Sequence, residues 1–346
     1  LRDALSPPQR LSKGTPRGAL LVETHDSAMA DDKLVHHLGV AGVPILTPSA
    51  REGHFEHVRP YATTVRRHVL VPDFDYISKR GYIDRLKQLA GSRVPWASKQ
   101  HAVCFRGSST GVIPSGSSDD RLRENTRLAL AMHARVRNTR DGSLGPREGW
   151  DVGLSNTVQL SPLPAAAVRR LDLLRPEMSP QQLRRCRGIF DVDGNSNSWA
   201  GLAWKLASGS VVLKVVSPFM QWYYEDLVPW VHYVPVANNL SDVHARGKRD
   251  ASTEDAPSVY TRGRPLVSDA ECLLASSRAV AFVLDRRNDE KLQSIARAAS
   301  DFISNAASFN YDIVAGRVGR WLQEVWGAAE RGHHGRLSAG ENKLYR

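Results

Sequence analysis

Cysteine is scarce: the 346 residues hold three, Cys104, Cys186 and Cys272. None stands in a CxxC or Cys/His spacing, which disfavours a zinc module. Three are too few for a disulfide scaffold, although one bridge plus a free thiol stays open in an oxidising compartment. No run approaches the roughly 18 apolar residues that span a bilayer, so no internal membrane helix is expected in this segment. No period of fixed length recurs, which excludes solenoids and propellers. GxGxxG, GxxxxGK[ST] and HExxH are all missing, which lowers nicotinamide, P-loop and zinc-protease readings together. Residues 1–18 are basic and Pro-rich without the apolar stretch of a signal peptide. The tail Asn342-Lys343-Leu344-Tyr345-Arg346 carries no KDEL-type signal.

What is present is a basic, otherwise ordinary globular composition. Lys plus Arg number 47 against 36 Asp plus Glu, a net charge of +11. That balance suits an anionic partner such as a nucleotide, a phosphorylated substrate, nucleic acid or a membrane surface. Hydrophobic residues make up 41% and charged residues 24%, enough for a core, and the length fits two domains. Short apolar runs alternate with amphipathic stretches. Strands are expected at 19–22, 43–46, 68–71, 101–105, 188–192, 210–216 and 231–236. Helices are expected at 31–38, 82–89, 120–136, 181–186, 198–207 and from 269 to about 329. Gly142 to Leu163 reads as loop from its Gly, Ser and Pro content. Strand–helix alternation implies an α/β fold with parallel sheets, whose ligands bind beyond the carboxyl ends of the strands.

Loops at such ends carry the candidate chemistry. Arg106-Gly107-Ser108-Ser109-Thr110-Gly111 follows a strand; its N–H groups, hydroxyls and guanidinium suit a diphosphate, and it also reads as a solvent loop. Asp191-Val192-Asp193-Gly194-Asn195-Ser196-Asn197-Ser198 ends a strand and opens a helix, with Ser and Asn as possible caps. Its two carboxylates resemble the Asp-x-Asp metal clamp of metal-dependent sugar transferases. Asp73-Phe74-Asp75 shows how cheaply that pattern arises. Asp26, after the first strand, can act as a general base or simply cap a turn, and His25 is the alternative base. Trp222-Tyr223-Tyr224 and Trp230-Val231-His232-Tyr233 concentrate aromatic rings that stack on sugars or bases, or pack a core. His36-His37 and His333-His334 lack a metal-like context.

Read together, these segments resemble glycosyltransferase family 90. Cys104 to Ser108 is similar to its "FRGS" motif, Phe190 to Asn195 to "DVDGN", and Ser208 to Lys214 to "SGSxVLK". Trp222 to Asp242 is similar to "WYYxxLxPWxHYxPVxxxLSD". Asn288-Asp289, Ile295-Ala296 and Phe302 are similar to its C-terminal "ND…IA…F" helix. Order and spacing agree from about Ala19 to Val325, most tightly over 188–243. The family includes Rumi-like protein O-glucosyltransferases and fungal capsule-associated xylosyltransferases.

The resemblance implies a GT-B-like α/β architecture of two Rossmann-like lobes facing a cleft. Residues 1–18 would precede an acceptor-side lobe at 19–97. A nucleotide-sugar lobe would occupy 98–305 with an insertion at 238–269, and a C-terminal helix and tail 306–346. It implies an inverting enzyme using a UDP-sugar, UDP-glucose or UDP-xylose, with no metal ion or other cofactor. The acceptor would be a protein or polysaccharide; no nucleic-acid partner is expected, and the location would be the secretory-pathway lumen. Asp26 matches the catalytic base, although the residues before it depart from the family's "N-x-R-D". Ser108 matches the Ser on the nucleotide sugar, and Arg127, in preference to Arg123, the Arg on the diphosphate. Arg106, Ser109, Asp193, Asn195, Ser196 and Ser198 complete the donor-binding candidates. Gly201 stands where Rumi-like members carry an Arg. The rival expectations are a non-catalytic nucleotide-sugar or glycan binder and a metal-dependent GT-A transferase using Asp191 and Asp193.

Overall fold

The computed structural model describes residues 21–22, 45–51, 68–91, 93–140, 149–217, 219–237, 260–261, 264–265 and 275–330. The described residues divide into two compact units. One gathers those within 1–82 with 219–223 and 305–330; the other holds 83–217 and 224–304. No described helix is long and apolar enough to cross a membrane.

The second unit is built on a five-stranded, wholly parallel sheet. Its strands are β5 (Gln100–Ser108), β6 (Gly149–Asn156), β7 (Cys186–Asp191), β8 (Val211–Val215) and β10 (Val234–Val236), in the order β10-β8-β7-β5-β6. Every residue of β7 and β8 is buried, as their apolar runs require of central parallel strands. Gly188 in β7 shows why one face carries no side chain there. A Cβ would come within 2.8 Å of Leu213 Cδ1 and 3.1 Å of Val283 Cγ1, the latter on helix α8 (Ser276–Leu284). Cys104 on β5 and Cys186 on β7 form a disulfide, with Cα atoms 6.1 Å apart. It closes a loop of 82 residues, worth roughly 4–5 kcal/mol on a chain-entropy account. The possibility of one bridge is thus realised between two middle strands.

The first unit has its own parallel sheet, β1 (Leu21–Val22), β2 (Ile45–Thr47) and β4 (His68–Leu70), in the order β1-β2-β4. Beside it β3 (Ala50–Arg51) pairs antiparallel with β9 (Phe219–Met220). Helix α1 (Phe74–Ser78) starts at Asp73, whose carboxylate accepts from the Tyr76 amide at 2.9 Å. Around it lies a ring cluster. Tyr76 meets Trp222, Tyr82 and Phe309 with centroids 4.8, 5.4 and 5.4 Å away. Arg80, Gly81 and Tyr82 all have positive φ, at 48°, 78° and 57°. Only Gly81 takes that geometry without steric cost. Tyr82 is held there by a short hydrogen bond from its hydroxyl to Asp73 Oδ2.

Several expectations change in detail. Gly142 to Leu163, read as loop, contains β6, whose Gly149 and Gly153 disguised it. A Cβ at Gly153 would lie 2.3 Å from Arg175 Cγ, so the glycine makes room for a crossing side chain. The helix expected over 120–136 is two, α3 (Asp119–Leu122) and α4 (Thr126–Arg140). Between them Asn125 Oδ1 accepts from the Arg127 and Leu128 amides at 3.0 and 3.1 Å and caps the second. The short helix expected over 181–186 is α6 (Pro180–Leu183), and Cys186 already belongs to β7. The helix expected over 31–38 lies outside the described residues.

Candidate functional site

In a parallel sheet all strands end at the same edge. The loops after β5, β6, β7 and β8 therefore gather there, and hydrogen bonds show that they interlock. Ser109 Oγ donates to Val158 O and accepts from Val158 N, both at 2.8 Å. The Gly111 amide donates to Asn195 Oδ1 at 3.0 Å, joining the β5 loop to the turn after β7. Gly111 has φ +127°, and a Cβ on Gly194 would fall 2.6 Å from Thr110 Oγ1, so both glycines permit the approach.

Arg127, on α4, braces the same junction. Its Nη1 donates to Ser108 O at 3.1 Å and Thr110 Oγ1 at 2.7 Å. Its Nη2 donates to Val192 O at 2.9 Å, and Nε is shared between Val192 O and Asp193 O. All these acceptors are neutral. Burial lowers the Arg127 pKa, with Asp193 and Asp191 offsetting part of the shift.

Beneath the turn lies an ionic cluster. Asp191 is fully buried. Its Oδ1 accepts from Lys205 Nζ at 2.7 Å and Ser198 Oγ at 2.6 Å, and its Oδ2 from Lys214 Nζ at 3.3 Å. Lys205 lies on α7 (Ala200–Leu206) and Lys214 on β8. Burial alone would raise the Asp191 carboxyl, but Lys205, Lys214 and the Ser198 hydroxyl outweigh it and hold it below the usual carboxylate range. Asp193 accepts from the Ser198 amide at 3.1 Å and from the Ser217 hydroxyl, with Lys214 Nζ 3.8 Å away. Burial raises its pKa, and Lys214, Ser217 and Arg127 only partly offset burial and the neighbouring Asp191. Tyr224 OH accepts from Asn197 Nδ2 at 3.1 Å, and Lys214 Nζ stands 4.8 Å from its ring centroid. Two lysines balance two carboxylates, and Arg127 adds a cation whose hydrogen bonds go to no carboxylate. Among these five described side chains the net charge is thus one positive, favourable to an anion.

The structure brings Ser108, Ser109, Arg127, Asp193, Asn195, Ser196 and Ser198 into this edge. Ser108 Oγ lies 3.3 Å from Thr110 Oγ1. Ser196 is 2% exposed; its carbonyl accepts from the Gly194 amide, and its Oγ has no hydrogen-bond partner among the described residues. Arg106 is used differently. Its guanidinium pairs with Asp151 Oδ1 at 2.5 Å and donates to the carbonyls of Phe105, Asp151 and Pro176, tying β5 to β6. Asp26 and His25 lie outside the described residues. Trp222 and Tyr223 pack in the first unit's ring cluster, and Tyr224 reaches the ionic one. Gly201 lies on α7; a Cβ there would stand 3.2 Å from Ser198 Cβ and 3.9 Å from Lys205 Nζ.

Reading by residue missed Asn125, Lys205, Ser217 and the role of Lys214. One signal was available: a lysine inside Ser210-Val211-Val212-Leu213-Lys214-Val215-Val216 must find a carboxylate if the strand is buried.

This geometry is that of the loop-bearing carboxyl edge of a parallel α/β sheet, and comparison with known proteins gives the chain a family. The model of glycosyl transferase family 90 matches residues 64–269, more than half of the sequence, and the chain belongs to that family. Among relatives, uncharacterized protein 027R of Frog virus 3 is 33% identical, over 45% of this chain and 16% of its own. Protein O-glucosyltransferase 3 of Homo sapiens is 32% identical over 23% of this chain and 16% of its own. Protein O-glucosyltransferase 2 of Danio rerio is 41% identical over 16% and 11%. The chain thus spans less than a fifth of the length of the curated relatives it matches.

Proposed function

We propose that this chain is an inverting glycosyltransferase that moves glucose or xylose from a UDP-sugar to a hydroxyl of a protein or glycan. The observation that carries the reading is the interlocked edge of the second unit. There Ser108, Arg127 and the Asp193–Ser198 turn surround a net positive charge. The anion we propose for it is the diphosphate of a UDP-sugar. The acceptor oxygen attacks the anomeric carbon opposite the leaving group, forming the new C–O bond as the bond to UDP breaks. The acceptor proton passes to the Asp26 carboxylate. Charge growing on the departing β-phosphate is met by Arg127 and by hydroxyl or amide donors of the two loops. Two Rossmann-like lobes in a GT-B arrangement are the architecture proposed for this chemistry, and each unit contributes a parallel sheet to the proposal.

A metal-free mechanism is preferred because both Asp191 oxygens already accept from lysines, and Lys214 also faces Asp193. A divalent cation there would have to displace two ammonium groups. The Cys104–Cys186 bridge suits an oxidising compartment such as the secretory lumen.

The test is UDP release over a panel of UDP-sugars, with and without EDTA, on wild type and Asp26→Asn. Release with one sugar that resists EDTA and disappears in Asp26→Asn is expected. Release abolished by EDTA but retained in Asp26→Asn would overturn the mechanism. UDP binding without release under any acceptor tried would point to a non-catalytic relative.

A further inference from the structure

The chain leaves the second unit after Ser217 and re-enters it at Tyr224. Between these points, Phe219 and Met220 pair with Ala50 and Arg51, and Trp222 and Tyr223 join the ring cluster of the first unit. Both flanking residues reach the same turn. Ser217 Oγ donates to Asp193, which begins the turn, and Tyr224 OH accepts from Asn197 near its end. Lys214 Nζ, 3.3 Å from Asp191 Oδ2 and 3.5 Å from Tyr224 OH, lies between the two attachments. The short excursion 219–223 is therefore clamped at both ends by side chains of the turn that the functional reading assigns to the donor. The turn itself is irregular backbone with Trp199 at φ 50° at its far end, so its position depends on such side-chain bonds.

We infer that Ser217 and Tyr224 are positioning residues: they make the 219–223 excursion respond to what occupies the 193–198 turn. The inference rests on the reading of that turn as the donor site. Neither residue is assigned contact with the donor; each acts through the side chain that it holds. A ligand that fixes Asp193 and Asn197 would thereby fix the anchors of Phe219 to Tyr223.

The experiment is hydrogen–deuterium exchange on the full chain with UDP as the probe. In wild type, UDP is expected to slow exchange at 193–198 and, by about tenfold, at 219–223. In Ser217→Ala/Tyr224→Phe, UDP should still protect 193–198 but no longer 219–223, and Ser217→Thr, which keeps the hydroxyl, should behave as wild type. Protection confined to 193–198 in wild type, or surviving at 219–223 in the double variant, overturns the inference. If UDP protects neither stretch, the donor reading fails, and ligand-free exchange decides the coupling. Asn197→Ala should then speed exchange at 219–223 about tenfold, with no further gain on adding Tyr224→Phe. Unchanged exchange there overturns the coupling on its own.

Discussion

The ring cluster of the first unit and the ionic cluster of the second both hold irregular backbone inside the protein, by different means. In the first, Tyr76, Tyr82, Trp222 and Phe309 are almost wholly buried and meet mostly edge to face. Their stabilisation comes from removing apolar area from water and is shared over many contacts. In the second, Asp191, Asp193, Lys205 and Lys214 are also buried, but each charge pairs with only one or two of opposite sign in the cluster. Losing a ring leaves a cavity; losing an ion leaves an unpaired charge. The second kind of cluster specifies a geometry more sharply and tolerates less change.

The sharpest way to break the comparison is to remove one member of each cluster. Lys214→Met should destabilise the second unit by about 3–5 kcal/mol, because Asp193 loses its nearest cation and Asp191 one of two. Trp222→Ala should cost a similar ~3–5 kcal/mol, felt in the first unit. Urea unfolding followed by exchange at 186–191 and at 74–78 separates the two losses. A Lys214→Met protein as stable as wild type would show that the ionic cluster contributes no net hold.

A smaller effect sharpens the contrast inside the ionic cluster. The Asp191 carboxyl is held below its ordinary range, so its contribution is complete above the unfolded carboxylate pKa and fades as pH falls through its own lower value. The Asp193 carboxyl is raised, so its charge costs stability at neutral pH and that cost disappears on acidification through its folded pKa. Asp191→Asn should lower stability at pH 7, and Asp193→Asn should leave it level or slightly higher. Urea midpoints between pH 3 and 7 check this; the same sign for both variants would contradict the assignment. The smallest change belongs to the ring cluster. Tyr82→Phe removes the hydroxyl that meets Asp73 and should cost about 1 kcal/mol in thermal unfolding.

How much of this was legible in the sequence follows from the same distinction. Buried strands announce themselves: Val211 to Val215 and Gly188 to Asp191 lie where apolar runs put them. An edge strand with glycines at 149 and 153 does not, because its spaces are cut for neighbours such as Arg175 that lie far along the chain. The Gly, Ser and Asn turns after β5 and β7 were readable as loops at strand ends. Their interlocking was not, since Gly111 and Asn195 lie 84 positions apart. Arg106 and Arg127 look alike in sequence, yet one clamps β6 and the other braces the two loops. Partner identity decides that difference, and a partner is a property of the fold. Asp26 shows the opposite case, a residue singled out by a family pattern whose surroundings lie outside the described residues.

The first unit has a consequence for synthesis on the ribosome. Tyr76 donates its hydroxyl hydrogen bond to the carbonyl of Phe309, 233 positions later. The second unit's sheet is complete once Val236 has emerged, whereas the ring cluster must wait for almost the last described helix. A nascent chain of that length therefore has every residue of its ionic cluster out while its aromatic cluster still lacks Phe309. During that interval Trp222 and Tyr76 lack one of the rings that cover them, and the growing chain presents apolar surface that the finished protein never shows.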